Sequence, residues 1–160
     1  MPMKGRIQIY TGNGKGKTTA ALGLSLRSVC AGGRVFFGQF LKGSPCSELS
    51  APGFLPGFTI EQFGRGSFLS GEPCTEDVAS ARNGLERCRA ILEEGAHDLV
   101  VLDEVNVALH YGLFGVEEVT AMLQGRADHV EVVLTGRYAP ESLIAVADLV
   151  TEMREIKHYF

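Results

Sequence analysis

The stretch Gly12-Asn13-Gly14-Lys15-Gly16-Lys17-Thr18-Thr19 constrains the fold of this chain more than any other. It follows a short run at residues 6–10 that is rich in β-branched residues. It opens a segment, residues 18–31, in which Ala21, Leu22, Leu24, Leu26 and Val29 recur at helical spacing. A glycine-rich turn between a strand and a helix is the context a phosphate-binding loop requires. Glycines let successive backbone N–H groups turn inward as an anion nest, and the helix N-terminus adds its dipole. Lys17 supplies a point charge for phosphate oxygens, and Thr18 a hydroxyl for Mg²⁺. Gly12, Asn13, Gly14, Lys15, Gly16 and Thr19 complete the expected nucleotide cradle. Thr11 stands where the usual pattern has its first glycine; the remaining spacing is intact. A turn without a ligand would have no packing reason to carry Lys15 and Lys17 among its glycines.

The rest of the chain alternates strands and helices. Apolar runs at residues 34–40, 58–63, 99–102, 130–134 and 149–153 read as further strands. Residues 75–95, 116–123 and 140–147 read as helices, with Thr75 as a cap and Glu76 and Asp77 suited to a helix N-terminus. Residues 43–57 and 64–73 read as long loops, a length often tied to function. The alternation predicts an α/β fold of the P-loop NTPase kind: a mainly parallel sheet of about six strands with helices on both faces. A length of 160 residues fits a single nucleotide-binding domain.

Composition excludes several function classes. A formal net charge of -4 gives no basic footprint for nucleic acid or for an anionic membrane. No stretch is long and apolar enough to span a bilayer, and residues 1–6 lack a signal-peptide core, so a cytoplasmic location is expected. Cys30, Cys46, Cys74 and Cys88 form no zinc or redox spacing. Cys30 and Cys88 fall in helical patterns and are expected to be buried; Cys46 and Cys74 are expected in loops.

The strand Leu99-Val100-Val101-Leu102 ends in Asp103-Glu104. A buried strand ending in Asp delivers a carboxylate beside a phosphate loop, where it reaches Mg²⁺ directly or through water. Thr18 and Asp103 are therefore the expected metal ligands. Arg137 follows a strand and a glycine at the edge where ligands bind in such sheets, and a triphosphate contact is expected of it. Arg27, late in the first helix, is read as complementing the helix dipole and is left outside the site.

The stretches TGNGKGKTTAALGLSLR, GQFLKG, DLVVLDEVNVALHYGL and VLTGRYAPESLIAVADLVTEMREIKH resemble the ATP:corrinoid adenosyltransferases of the BtuR and CobA kind. The resemblance runs from about residue 6 to residue 158 and is thinnest over residues 44–74. It implies a reaction in which Co(I) of a corrinoid attacks the 5′ carbon of ATP and inorganic triphosphate leaves. Such a reaction needs no general base, because Co(I) is itself the nucleophile. It does need electrostatic help for the departing triphosphate, which the amide nest, Lys17 and Mg²⁺ supply. Glu104 is then expected to hold the ribose hydroxyls or assist at the metal, and Lys17, Glu104 and Arg137 form the expected catalytic set.

The resemblance also implies apolar side chains that displace the lower cobalt ligand. The matching loop is Phe63-Gly64-Arg65-Gly66-Ser67-Phe68-Leu69, where some relatives carry a Phe and a Trp two apart. Direct alignment puts Ser67 and Leu69 there and the chain has no Trp, so Phe68 and Leu69 are the expected corrinoid contacts. A homodimer, and a flavoprotein or other reductant to make Co(I), are likewise implied by the resemblance. Two other readings stay open on the sequence: a small-molecule kinase or ATP hydrolase on the same loop, and a corrinoid carrier or nucleotide-sensing regulator.

Overall fold

The apolar runs of the chain become strands, and those at the centre of the sheet are covered on both faces, which favours continuous Val, Ile, Leu and Phe over alternation. In the computed structural model, which describes residues 3–66 and 71–159, they are β1 (Ile7–Thr11), β2 (Val35–Phe40), β3 (Phe58–Phe63), β4 (Leu99–Asp103), β5 (Glu131–Thr135) and β6 (Leu149–Glu152). The sheet order is β3-β2-β4-β5-β1-β6, and every neighbouring pair is parallel. Every residue of β2 and β4 is buried. The sequence reading of a mainly parallel α/β sheet is met by one that is wholly parallel among the described residues.

Two apolar layers sandwich this sheet. On one face Phe36, Phe40, Val100, Leu102, Val132 and Leu134 pack with Leu85 and Leu92 of α2 (Thr75–Glu94), Val105 and Ala108 of α3 (Val105–His110), and Met122 and Leu123 of α4 (Val116–Gln124). Leu143 of α5 (Glu141–Val146) joins them. On the other face Tyr10, Phe37, Val101 and Val133 meet Ala21 of α1 (Lys17–Cys30). Neighbouring strand residues divide between the layers, as a pleated strand requires. Burial of this extent is the main stabilising term of the fold, at roughly 25 cal/mol per Å² of apolar surface.

Because all strands run the same way, their C-terminal ends share one edge. Thr11, Phe40, Asp103 and Thr135 end their strands there, and the loops beyond them carry the site residues. A cavity of about 330 Å³ lined by Met3, Lys4, Asp128 and His129 lies at the opposite edge, where β1 and β5 begin.

Several local expectations are corrected. Residues 43–57 are not all loop: Ser47–Gly53 is a short 3-10 helix, with Ala51 packed on the α1-side layer. The α3 turn after Asp103-Glu104 escapes the sequence reading because six residues are too few to show a helical period. Cys74, not Thr75, precedes the first residue of α2, and its N–H donates to Asp77 Oδ2 at 3.0 Å. Cys30 is exposed at the end of α1, whose buried stripe is Lys17, Ala21 and Ser25, while Cys88 is buried as expected. Burial pushes the Cys88 thiol far above its ordinary range, as for an inert core cysteine.

Candidate active site

The phosphate loop leaves β1 and enters α1 with Gly12 at φ 97° and Gly16 at φ 114°, conformations that side chains with a Cβ rarely adopt. A second constraint comes from the chain leaving β6. Gly14 N–H donates to the Met153 carbonyl at 2.8 Å, and Met153 N–H donates to the Thr11 carbonyl at 2.9 Å. A Cβ on Gly12 would stand 2.3 Å from the Met153 oxygen, so the glycine is demanded by close backbone approach as well as by φ. The loop is therefore held from outside as well as by its own turn.

Lys17 is buried, and its Nζ donates to the Gly14 carbonyl at 2.7 Å. Burial pulls this ammonium below the ordinary lysine value; Glu104 opposes the shift and Arg137 adds to it. Asn13, Lys15 and Thr19 are exposed on the rim. The Lys15 ammonium sits 4.1 Å from the centroid of the Tyr159 ring, and the Asn13 carbonyl accepts from the Arg137 guanidinium at 3.4 Å.

Asp103 is fully buried at the end of β4 and is the most heavily bonded carboxylate of the site. Its Oδ1 accepts from the Thr18 hydroxyl at 2.9 Å and from the Thr135 hydroxyl at 2.7 Å. Thr135 comes from β5, the strand between β4 and β1, and so bridges the gap from the carboxylate to the loop. Oδ2 takes the Lys42 ammonium at 3.1 Å and a longer contact from Gln39 at 3.4 Å. Burial pulls Lys42 down, but the charge and hydrogen bond of Asp103, with Glu104 and Glu48, outweigh it and hold the ammonium above the ordinary lysine value.

Glu104 follows in a left-handed conformation, φ 62°, with its N–H donating to the Thr135 hydroxyl at 3.0 Å. That turn separates its side chain from Asp103 and aims it into a cavity of about 440 Å³. Lys17, Lys42, Glu104 and Arg137 line this cavity together with Leu41, Val107, Tyr111 and Tyr138. Burial, reinforced by the Asp103 charge, raises the Glu104 carboxyl above the usual range, against the pull of Lys42, Lys17 and Arg137. Three cations to one carboxylate on its walls give the cavity the polarity a polyphosphate requires.

The expected residues Lys17, Glu104 and Arg137 thus line one cavity, and Thr18 and Asp103 touch. The Thr18 hydroxyl and Asp103 Oδ1 are hard oxygens of the kind Mg²⁺ prefers, so the donor set fits that ion. Among the described residues no group of three or more His, Cys, Asp and Glu gathers around a point. A Mg²⁺ here would therefore draw its other ligands from phosphate and water. Phe68 and Leu69, the expected corrinoid contacts, lie outside the described residues.

Sequence reasoning missed Lys42, Gln39, Thr135 and Tyr138. The signal for Gln39 was present, because a glutamine inside the apolar run VFFGQF must find a buried partner. It finds Asp103 and Glu48.

Residues 3–160 match the family described as ATP:corrinoid adenosyltransferase BtuR/CobO/CobP. A corrinoid adenosyltransferase of Sinorhizobium sp is 39% identical over 161 residues, covering 98% of this chain and 75% of the relative. The corrinoid adenosyltransferase of Escherichia coli K12 is 34% identical, covering 98% of this chain and 80% of the relative. The corrinoid adenosyltransferase CobA of Salmonella typhimurium is 35% identical with the same coverage on both sides.

Proposed function

The chain belongs to the BtuR/CobO/CobP family of ATP:corrinoid adenosyltransferases, and we propose that it transfers the 5′-deoxyadenosyl group of ATP to the Co(I) of a corrinoid. The observation that carries this reading beyond family membership is the convergence of Lys17, Glu104 and Arg137 on one cavity beside the phosphate loop. In the transfer, the electron pair of Co(I) forms the cobalt–carbon bond at C5′. The C5′–O bond breaks and its electrons leave with the triphosphate.

The chain's own residues serve the leaving group. Lys17, freed from the Gly14 carbonyl by a competing phosphate oxygen, and Arg137 beside the loop neutralise charge that grows on the triphosphate. Burial of Lys17 strengthens that effect, since a partly desolvated cation interacts more strongly than one in water. Thr18 and Asp103 would hold Mg²⁺, which would supply further neutralisation of the phosphate oxygens. Lys42, at 3.1 Å, holds the Asp103 carboxylate in place for that role. Glu104, turned away from Asp103 into the cavity, is placed to accept ribose hydroxyls.

The implied corrinoid contacts remain Phe68 and Leu69. Family resemblance alone supports a homodimer and a flavoprotein or other reductant, and a cytoplasmic location rests on the sequence expectation. No helix among the described residues is long and apolar enough to cross a membrane. A kinase or hydrolase on the same loop draws no support from the relatives. Incubation with Mg-ATP and no corrinoid separates the readings. The transferase reading expects negligible phosphate release. Strong release that disappears in Glu104→Gln would replace it with hydrolysis.

A further inference from the structure

Among the described residues, three that are not glycine have positive φ: Leu41 at 63°, Glu104 at 62° and Tyr138 at 65°. They are far apart in sequence, and each lies beyond the C-terminal end of a different strand. All three line the same cavity. Left-handed backbone is rare for such residues and persists only where the surroundings enforce it, so its concentration on one cavity marks a shape held for a ligand.

Tyr138 is the most telling of the three. A bulky aromatic residue is a poor choice for a left-handed turn that glycine would make without strain. Its ring lies against His110 with centroids 4.0 Å apart and planes 23° apart. His110 in turn meets Tyr111 edge-on, at 5.5 Å and 72°. One side of the Tyr138 ring is thus backed by a second ring, while the residue stays 52% exposed at the cavity. This is the construction of a stacking platform: a flat face, braced from behind, beside open volume.

We propose that Tyr138, backed by His110, is the face on which the adenine ring of ATP stacks, and is therefore a specificity-determining residue for the nucleotide. The inference rests on the reading that ATP occupies the phosphate loop and this cavity. Adenine is the flat, weakly polar part of that substrate, and Tyr138, Tyr111 and Val107 are the matching part of the wall. The other flat ligand of the reaction, the corrin ring, is the competing occupant of this face, and the binding test below separates the two.

The test is equilibrium binding of Mg-ATP and of Mg-tripolyphosphate, measured by calorimetry without corrinoid, on the native protein, Tyr138→Gly and Tyr138→Phe. Glycine suits φ 65° and removes the ring without straining the turn. Stacking on one aromatic face gives an expected loss of about tenfold in ATP affinity for Tyr138→Gly. Tripolyphosphate, which has no base, should bind the variant as it binds the native protein, and Tyr138→Phe should keep native ATP affinity. Unchanged ATP affinity in Tyr138→Gly would overturn the proposal. So would equal losses for ATP and tripolyphosphate, which would mean general damage to the loop. A rise in the corrinoid KM of Tyr138→Gly with unchanged ATP affinity would assign the ring to the corrin instead and would overturn it too. If the native protein bound neither ATP nor tripolyphosphate, the reading of the whole site would fall, an outcome distinct from the others.

Discussion

Thr18 and Asp103 are separated by 85 positions in sequence, yet the threonine hydroxyl donates to the aspartate at 2.9 Å. The first lies in the opening turn of the helix after β1 and the second ends β4, two strands away. This contact unites the phosphate loop with the buried carboxylate. Asp103→Asn keeps the shape and removes the charge, so the Mg²⁺ concentration for half-maximal turnover should rise by about tenfold or more. Titration of activity against Mg²⁺ at saturating ATP checks this. An unchanged requirement would remove Asp103 from the metal site.

Lys42 is the counter-charge of Asp103, at 3.1 Å, with a third of its own side chain exposed. Lys42→Met leaves a wholly buried carboxylate with neutral donors only. Such a loss costs about 1–3 kcal/mol, less than a fully buried pair because water reaches the lysine side. Urea unfolding should register it, and adding Asp103→Asn to Lys42→Met should recover much of the loss. Simple additivity of the two losses would show that the pair does not act as a unit.

Gly12→Ala tests the outside brace on the phosphate loop. The substitution meets both φ 97° and the Met153 oxygen at 2.3 Å, so the loop or the chain leaving β6 must shift. Destabilisation of at least about 1 kcal/mol is expected from the backbone alone. ATP affinity should fall with it. A variant with native stability and native ATP affinity would show that Met153 does not fix the loop.

His97 gives the fold a pH dependence independent of the site. It is buried against the edge of Phe36, and its Nδ1 has no hydrogen-bond partner among the described residues. Burial, with Arg34 nearby, holds its pKa below the ordinary value of 6.5. The unfolded chain therefore takes up a proton near pH 6.5 that the folded chain refuses. This contribution to stability is present above that pH and lost as pH falls toward the folded value. Urea midpoints of the native protein should drop between pH 7.5 and 5.5, and His97→Leu should flatten that drop. Parallel slopes in the two proteins would exclude His97 as the cause.

The sheet and the phosphate loop were legible in the sequence because both rest on local signals: apolar runs of strand length, and glycines at a strand-to-helix junction. Asp103 was legible for the same reason, as the polar end of an apolar run. Lys42 and Thr135 were not, because their roles arise from strand order. Only the sequence β2-β4-β5-β1 brings residues from four strand ends around one carboxylate, and no local pattern encodes that order. Tyr138 was hidden for another reason. A left-handed tyrosine contradicts residue preference, so its conformation comes from tertiary contacts such as the His110 ring. Cys30 was misplaced because helical spacing shows that a face exists, not which residues fall at its margin.

In the proposed reaction an adenosyl group is transferred from a triphosphate held by Lys17. The direct measurement incubates the protein with Mg-ATP and chemically reduced Co(I) corrinoid, following the cobalt–carbon bond optically and the phosphate products by chromatography. One intact triphosphate is expected for each cobalt–carbon bond formed, with a loss of about 10²-fold or more in Lys17→Ala. ADP and phosphate without a cobalt–carbon bond, or undiminished turnover in Lys17→Ala, would contradict it.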